Sequence, residues 1–471
     1  MSFATLHFLV FFALVSGLFF ALSGRARFAL LLVASLYFYM VWRPVYVLLL
    51  LFSISCDYAA ARVMARSSRP GVRRTALLAS LGVNLSILVA FKYAGFLVSQ
   101  AALVFPQVSA AHLGLVLPLG ISFYTFQAMS YAIDVYRGEL PAERSFLRYA
   151  LFVMFFPQLV AGPIERAGHL LPQLRNLPGF DSARVTSGLR LILWGLVKKM
   201  VVADNLAGLV DRVYAAPGHF DAPSLLLGTV FFAYQILCDF SGYSDVAVGS
   251  ARVLGVDLMA NFDRPYSAAS IGEFWRRWHV SLSTWFRDYV YVPLGGNRRG
   301  ARRQYENILV TFCLSGIWHG ANWTFLAWGA YHGVLVMAQY ATAGWRHRLY
   351  GRCGLEGSER LLRALQVLAT FALVNVGWVL FRAPTLGAAA SVFEAILSGR
   401  AGLAAFTGTE VATGLLLVAA LELGQACQGS EPRQVPVPAR PGLRWALYLL
   451  LGAALLNLGV EKSVPFIYFE F

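Results

Sequence analysis

Apolar stretches recur along the whole chain at lengths that suit a lipid bilayer. Residues 3–22 carry no Asp, Glu, Lys or Arg, and a crossing helix needs about 20 such residues. Further stretches cover 28–42 and 45–60, divided by Trp42-Arg43-Pro44, then 75–98 and 115–133. Beyond residue 145 the pattern is less regular. Runs at 146–161 and 186–203 flank a polar, Pro-rich stretch at 162–178, and another run covers 223–240. Residues 261–304 are mixed and rich in Trp, Tyr and Arg, and apolar runs resume at 305–340, 365–381, 409–424 and 443–459. The pattern predicts an all-α polytopic membrane protein of about 11 transmembrane helices. Re-entrant or amphipathic helices are expected where the polarity is mixed, because irregular backbone at membrane depth must be buried in protein or line a wet cavity.

Composition supports one membrane domain. Hydrophobic residues make up 58% of the chain and charged residues 13%, about half the roughly 25% usual in soluble domains. No segment reads as an independent soluble domain. The chain divides into N-terminal spans at 1–145, a core at 146–340 and C-terminal spans at 341–471. The net charge of +15 does not point to nucleic acid, because the cations sit in short clusters between apolar runs, as the positive-inside rule produces. Arg25 and Arg27 follow the first run instead of preceding it, opposite to a secretory signal peptide. Arg62, Arg66, Arg69, Arg73 and Arg74 follow the third run, residues 99–114 contain no Lys or Arg, and Arg137, Arg144 and Arg148 follow the fifth. This alternation places the N-terminus outside, on the face opposite the basic loops.

Five scattered cysteines without CxxC spacing support neither a disulfide framework nor a metal site. Phosphate-loop, dinucleotide, zincin and nucleophile-elbow signatures are absent from the sequence.

Ionisable groups inside apolar sequence are candidates for function. His319 lies in Ser315-Gly316-Ile317-Trp318-His319-Gly320-Ala321-Asn322, with no formal charge between Glu306 and Arg346. A neutral imidazole there can take a proton from a hydroxyl, as acyl transfer requires. The residues equally allow a buried histidine bonded to a neighbouring helix. Trp318 and Asn322 are candidates to line a substrate path beside it, and Gly316 and Gly320 permit close approach of backbone or substrate. His332, thirteen positions on, falls on another helical face.

A second constellation runs from Glu273 to Gly296. Trp275, Trp278, Leu282 and Trp285 recur at helical spacing, predicting one aromatic face flanked by Glu273, Arg276 and Arg277. This is either an interfacial amphipathic helix or the mouth of a cavity, with His279 on its wet side and Arg276 beside it. In the polar island 238–245, Asp239 and Ser241 read first as caps for a helix beginning near Tyr243. Pairing with arginines or orienting a histidine is the alternative.

Together these segments resemble the membrane-bound O-acyltransferase family, closest to its alginate O-acetyltransferase branch. The resemblance takes in 118–127, 156–164, the 238–245 island, both histidine segments and 465–471, with Glu470 where that branch tends to have Gln. It implies a ring of helices around a central tunnel, with His319 at the catalytic position and His279 matching the second motif. It further implies membrane O-acetylation of an exopolysaccharide such as alginate, with no bound cofactor. The acyl donor would be acetyl-CoA or an acyl-carrier thioester, drawn to the basic cluster Arg298, Arg299, Arg302 and Arg303. The implied partners are periplasmic or membrane-anchored acetyltransferases, and the surroundings are membrane lipid. A D-alanyl transferase for a cell-surface polymer is the alternative within acyl transfer, and a polysaccharide or lipid-linked sugar transporter the alternative outside it.

Overall fold

The computed structural model describes residues 1–105, 116–428, 435, 437–460 and 466–467. Among them helices make the fold, and strand-like pairing is limited to an isolated bridge between Phe220 and Leu403. Among the described residues, six helices are long and apolar enough to cross a membrane: Tyr46–Arg66, Pro70–Val104, Ala222–Val253, Glu359–Arg382, Gly408–Cys427 and Pro441–Leu458. Leu6–Ala21 and Leu386–Leu397 are shorter apolar helices. Helix Pro441–Leu458 buries none of its residues and leaves Leu449 and Leu456 exposed, which suits a helix solvated by lipid. Of residues 99–114, which lack Lys and Arg, 99–104 continue the helix Pro70–Val104 and 106–114 lie outside the described residues.

The chain forms two compact units, Met1–Trp194 with Tyr243–Met259, and Gly195–Gly242 with Ala260–Phe471. In the first, helices Tyr46–Arg66 and Pro70–Leu88 are joined by a buried polar network. Ser80 and the Asn84 amide donate to Asp57 at 2.6 and 2.7 Å, and Ser53 donates to Asn84 at 3.0 Å. Such bonds bind helices together where lipid offers no alternative partner. Helix Ile121–Arg137 is bounded by Gly120 and Gly138, both left-handed at φ 70° and 78°. The run expected over 146–161 is broken into Phe146–Met154 and Phe156–Leu159, since Pro157 has no N–H to continue the first helix.

Two helical expectations are corrected. Ala222–Val253 is a single helix of 32 residues. Asp239 and Ser241 therefore sit in its interior and cap nothing. The aromatic stripe is two short helices, Ile271–Arg277 and Val280–Phe286, hinged at His279. In the second unit, Ala301–His319 and Trp323–Ala341 form a close antiparallel pair. A β-carbon on Gly316 would lie 2.2 Å from the Phe325 carbonyl oxygen and 3.2 Å from the Gly329 Cα, so these backbones touch only because both positions are glycine. Among the described residues, three π-helical segments interrupt the regular ladder, at Val89–Tyr93, Val197–Ala203 and Arg287–Tyr291.

Candidate active site

His319 ends its helix because Gly320 is extended and Asn322 caps the next one, accepting from the Thr324 N–H at 3.1 Å. Its imidazole is 2% exposed and is enclosed edge-on by Trp328 at 4.9 Å, Trp318 at 5.0 Å and Phe381 at 5.4 Å. The close approach at Gly316 and Gly329 fixes the helix that carries it. His332 also meets Trp328, at 5.1 Å, from the following helix. Helical rotation over thirteen positions does not set it apart, because the chain reverses after His319.

His279 is buried, not on a wet face. Its backbone lies at φ 42° and ψ 55°, a left-handed conformation uncommon outside glycine and costing about 1 kcal/mol or more. Backbone bonds on either side hold it there: the Val280 N–H donates to the Asn261 carbonyl and the Asp263 N–H to the Arg277 carbonyl, both at 2.9 Å. Its ring meets Phe240 edge-on at 4.7 Å and Trp318 at 6.1 Å. Trp318 thus contacts both histidines.

Asn261 defines the tautomer. Its Oδ1 accepts from the Ser281 N–H at 3.2 Å and the Ser281 hydroxyl at 2.9 Å. The backbone N–H can only donate, so the atom it meets is the amide oxygen. His279 Nδ1 lies 3.0 Å from that same oxygen, so Nδ1 carries the proton and Nε2 is the ring's basic nitrogen. Burial lowers the His279 pKa to about 3, because a charged imidazolium is poorly solvated there. A ring that resists protonation so strongly accepts a hydrogen bond from a hydroxyl without taking its proton.

The remaining sequence candidates are placed elsewhere. Asn322 donates to the Pro384 carbonyl at 2.9 Å while capping its helix, so its amide is engaged structurally. Arg276 is exposed. Asp239 belongs to a buried ionic cluster: Lys199 Nζ lies 2.5 Å from it and 2.8 Å from Asp204. Lys198 donates to Ser241 at 3.3 Å. The Ile467 N–H donates to Asp239 at 2.7 Å, and Phe466 packs on Phe240 at 5.5 Å. Two residues of the 465–471 motif are therefore seated on the 238–245 island, while Glu470 lies outside the described residues. Of the basic cluster, Arg302 and Arg303 pair with Glu306, each at 3.1 Å.

Sequence reading missed Asn261, whose eighteen-residue separation from His279 leaves no periodic signal. It also passed over Lys198 and Lys199, although two cations inside an apolar run were themselves a signal. Trp328 and Phe381 were invisible as site residues because aromatic positions in apolar helices are ordinary.

The family model described as MBOAT, membrane-bound O-acyltransferase family, matches residues 137–349. The chain is 37% identical to the probable alginate O-acetylase AlgI of Pseudomonas putida, over 98% of both chains. It is 34% identical to a peptidoglycan O-acetyltransferase of Helicobacter pylori, over 78% of this chain and 73% of that one. With a teichoic acid D-alanyltransferase of Streptococcus thermophilus it shares 27% identity over 56% of this chain and 68% of that one.

Proposed function

The chain belongs to the membrane-bound O-acyltransferase family, on the branch of the alginate O-acetylases, and from that premise we propose that it O-acetylates an exopolysaccharide such as alginate with His319 as its base. It is a multi-pass acyltransferase of the bacterial inner membrane. The observation that carries the site assignment is the enclosure of His319 and His279 around Trp318.

In this reading a thioester, acetyl-CoA or an acyl-carrier conjugate, enters from a cytoplasmic side marked by Arg298 and Arg299. Attraction of an anionic donor to basic residues supports that entry. His279 Nε2 accepts a hydrogen bond from the acceptor hydroxyl and orients it. His319 takes the hydroxyl proton as oxygen bonds to the acyl carbon and the thioester C–S bond breaks. The imidazolium returns the proton to the departing thiolate. The acceptor is the polymer itself, or a periplasmic or membrane-anchored acetyltransferase that passes the acetyl group on. An outside N-terminus completes the topology, supported by the arginine alternation.

The test is polymer acetyl content in a strain whose own copy is deleted, complemented with wild type or with His319→Ala. Wild type restores ester content and the variant does not, at equal membrane levels. Full restoration by the variant overturns the assignment. Labelled D-alanine appearing on the polymer in place of acetate would move the chain to the other acyl class.

A further inference from the structure

The first unit holds a cavity of about 510 Å³ with an excess of positive charge. Arg25, Arg27, Arg148 and Arg175 line it together with Ser145 and Asn176. Among the described residues, Glu143 is the carboxylate paired with them. Its two oxygens each take one guanidinium, Arg148 and Arg175, both at 2.8 Å. Burial alone would raise the Glu143 pKa, but the Ser145 N–H and these two arginines hold it below the usual carboxylate value. It is therefore charged. Arg27 is pinned by neutral acceptors, donating to the carbonyls of Phe19, Leu22 and Pro178 at 2.8–2.9 Å. Arg25 is exposed at the rim and forms no ion pair among the described residues. Four guanidinium groups against one carboxylate leave three positive charges around one cavity.

Like charges brought together raise the free energy of the fold unless an anion joins them. Three of these arginines are already held in place, so a bound anion immobilises little. Planar guanidinium forks match the oxygen geometry of phosphate. The cavity also has apolar walls, from Phe28, Leu147 and Leu174, which suit a phosphate ester more than a bare ion. We propose that this cavity is a binding site for an organic phosphate, in which Arg25, Arg148 and Arg175 hold the phosphate oxygens. The chemistry fits two sources, the headgroup of a phospholipid and the phosphates of a soluble nucleotide. The site is independent of the acyl-transfer assignment, since its residues lie outside the histidine cluster.

The experiment uses the full chain purified in a non-ionic detergent, in wild-type form and as Arg25→Gln, Arg175→Gln and the double variant. Arg360→Gln, an exposed arginine outside the cavity, controls for general charge. One arm titrates adenosine 3′,5′-bisphosphate, the other dioctanoyl phosphatidylglycerol, with binding read by calorimetry and each variant's melting temperature checked. The double variant is expected to lose binding of one probe by about 10-fold or more, as loss of charge-assisted bonds entails, with Arg360→Gln unchanged. Loss confined to the bisphosphate identifies a soluble phosphate, and loss confined to the lipid identifies a headgroup. If neither probe binds, or if wild type, double variant and control bind alike, the proposal is overturned. Repeating the titration on His319→Ala separates this result from the acyl-transfer reading, because binding here should survive that change. Should the double variant misfold, Arg25→Glu alone, at the exposed rim, carries the same test.

Discussion

The second unit contains two buried polar clusters built on opposite principles. Around Lys199, charges answer charges: one ammonium serves Asp204 and Asp239, and the Ile467 N–H adds a further donor to Asp239. Around His279 the hydrogen bonds among the described residues join neutral groups, Asn261, Ser281 and the imidazole. A buried charge tolerates almost no rearrangement, because separating the partners exposes each to a poorly solvating interior. A neutral imidazole with a defined tautomer can exchange one hydrogen-bond partner for another at far smaller cost. The first cluster is suited to holding helices, the second to meeting a substrate.

That contrast can be broken most severely at the histidines. His319→Ala should cut acyl transfer by about 10²–10⁴-fold, the range of general-base catalysis, while the melting temperature in detergent stays near wild type. A variant that loses the fold instead would make His319 a packing residue. Lys199→Met should do the reverse, lowering stability by about 3–5 kcal/mol because two carboxylates lose their counterion. Folded yield by size-exclusion chromatography would report it. Adding Asp204→Asn and Asp239→Asn to that variant should recover much of the loss, and failure to recover would mean that Lys199 acts other than by charge.

Smaller effects sharpen the role of Asn261. Asn261→Ala removes the acceptor that keeps the proton on Nδ1, and a loss of roughly 10–100-fold in activity is expected, as for other partners that orient a functional histidine. Asn261→Asp keeps an acceptor in place and should retain much more activity than the alanine variant. Equal losses in both would remove tautomer control from the account. The smallest effect is on pH. The His279 pKa falls from 6.5 to about 3 in the folded state, so the unfolded chain binds the extra proton between those values. Stability is complete above about pH 6.5 and is lost progressively below it, by roughly 1 kcal/mol at pH 5.5. His279→Asn, which also tolerates the left-handed backbone, should flatten that part of the thermal-stability profile. An unchanged slope would place the acid sensitivity elsewhere.

Much of this architecture was legible because bilayer thickness imposes one length on every crossing helix. The runs at 45–60 and 365–381 mark Tyr46–Arg66 and Glu359–Arg382 without any tertiary information. His319 was legible for a related reason, since a titratable group in uncharged sequence is costly. The break at His279 was not legible. Trp275, Trp278, Leu282 and Trp285 satisfy helical spacing whether or not the helix continues, and only the backbone bonds to Asn261 and Arg277 impose the left-handed turn. The helix through Asp239 was misread for a similar reason. Asp and Ser favour caps on local grounds, and a lysine forty residues away overrides that preference.

The π-helical segment Val197–Ala203 has a consequence for which sequence changes the fold can absorb. Lys198 and Lys199 are neighbours, and both are buried, one directed to Ser241 and the other to Asp204 and Asp239. Regular α-helix rotates successive residues by about 100°, whereas a π turn holds one extra residue within its loop of hydrogen bonds. Removing one residue here would restore regular helix with its flanks still in phase, and would turn one of the two lysines away from the face they share. Exchanges among Val197, Val201 and Val202 for other apolar residues keep that phase. An in-frame loss of one codon at this point would therefore act locally, leaving the packing of the flanking helix in phase and breaking up the pair of buried lysines.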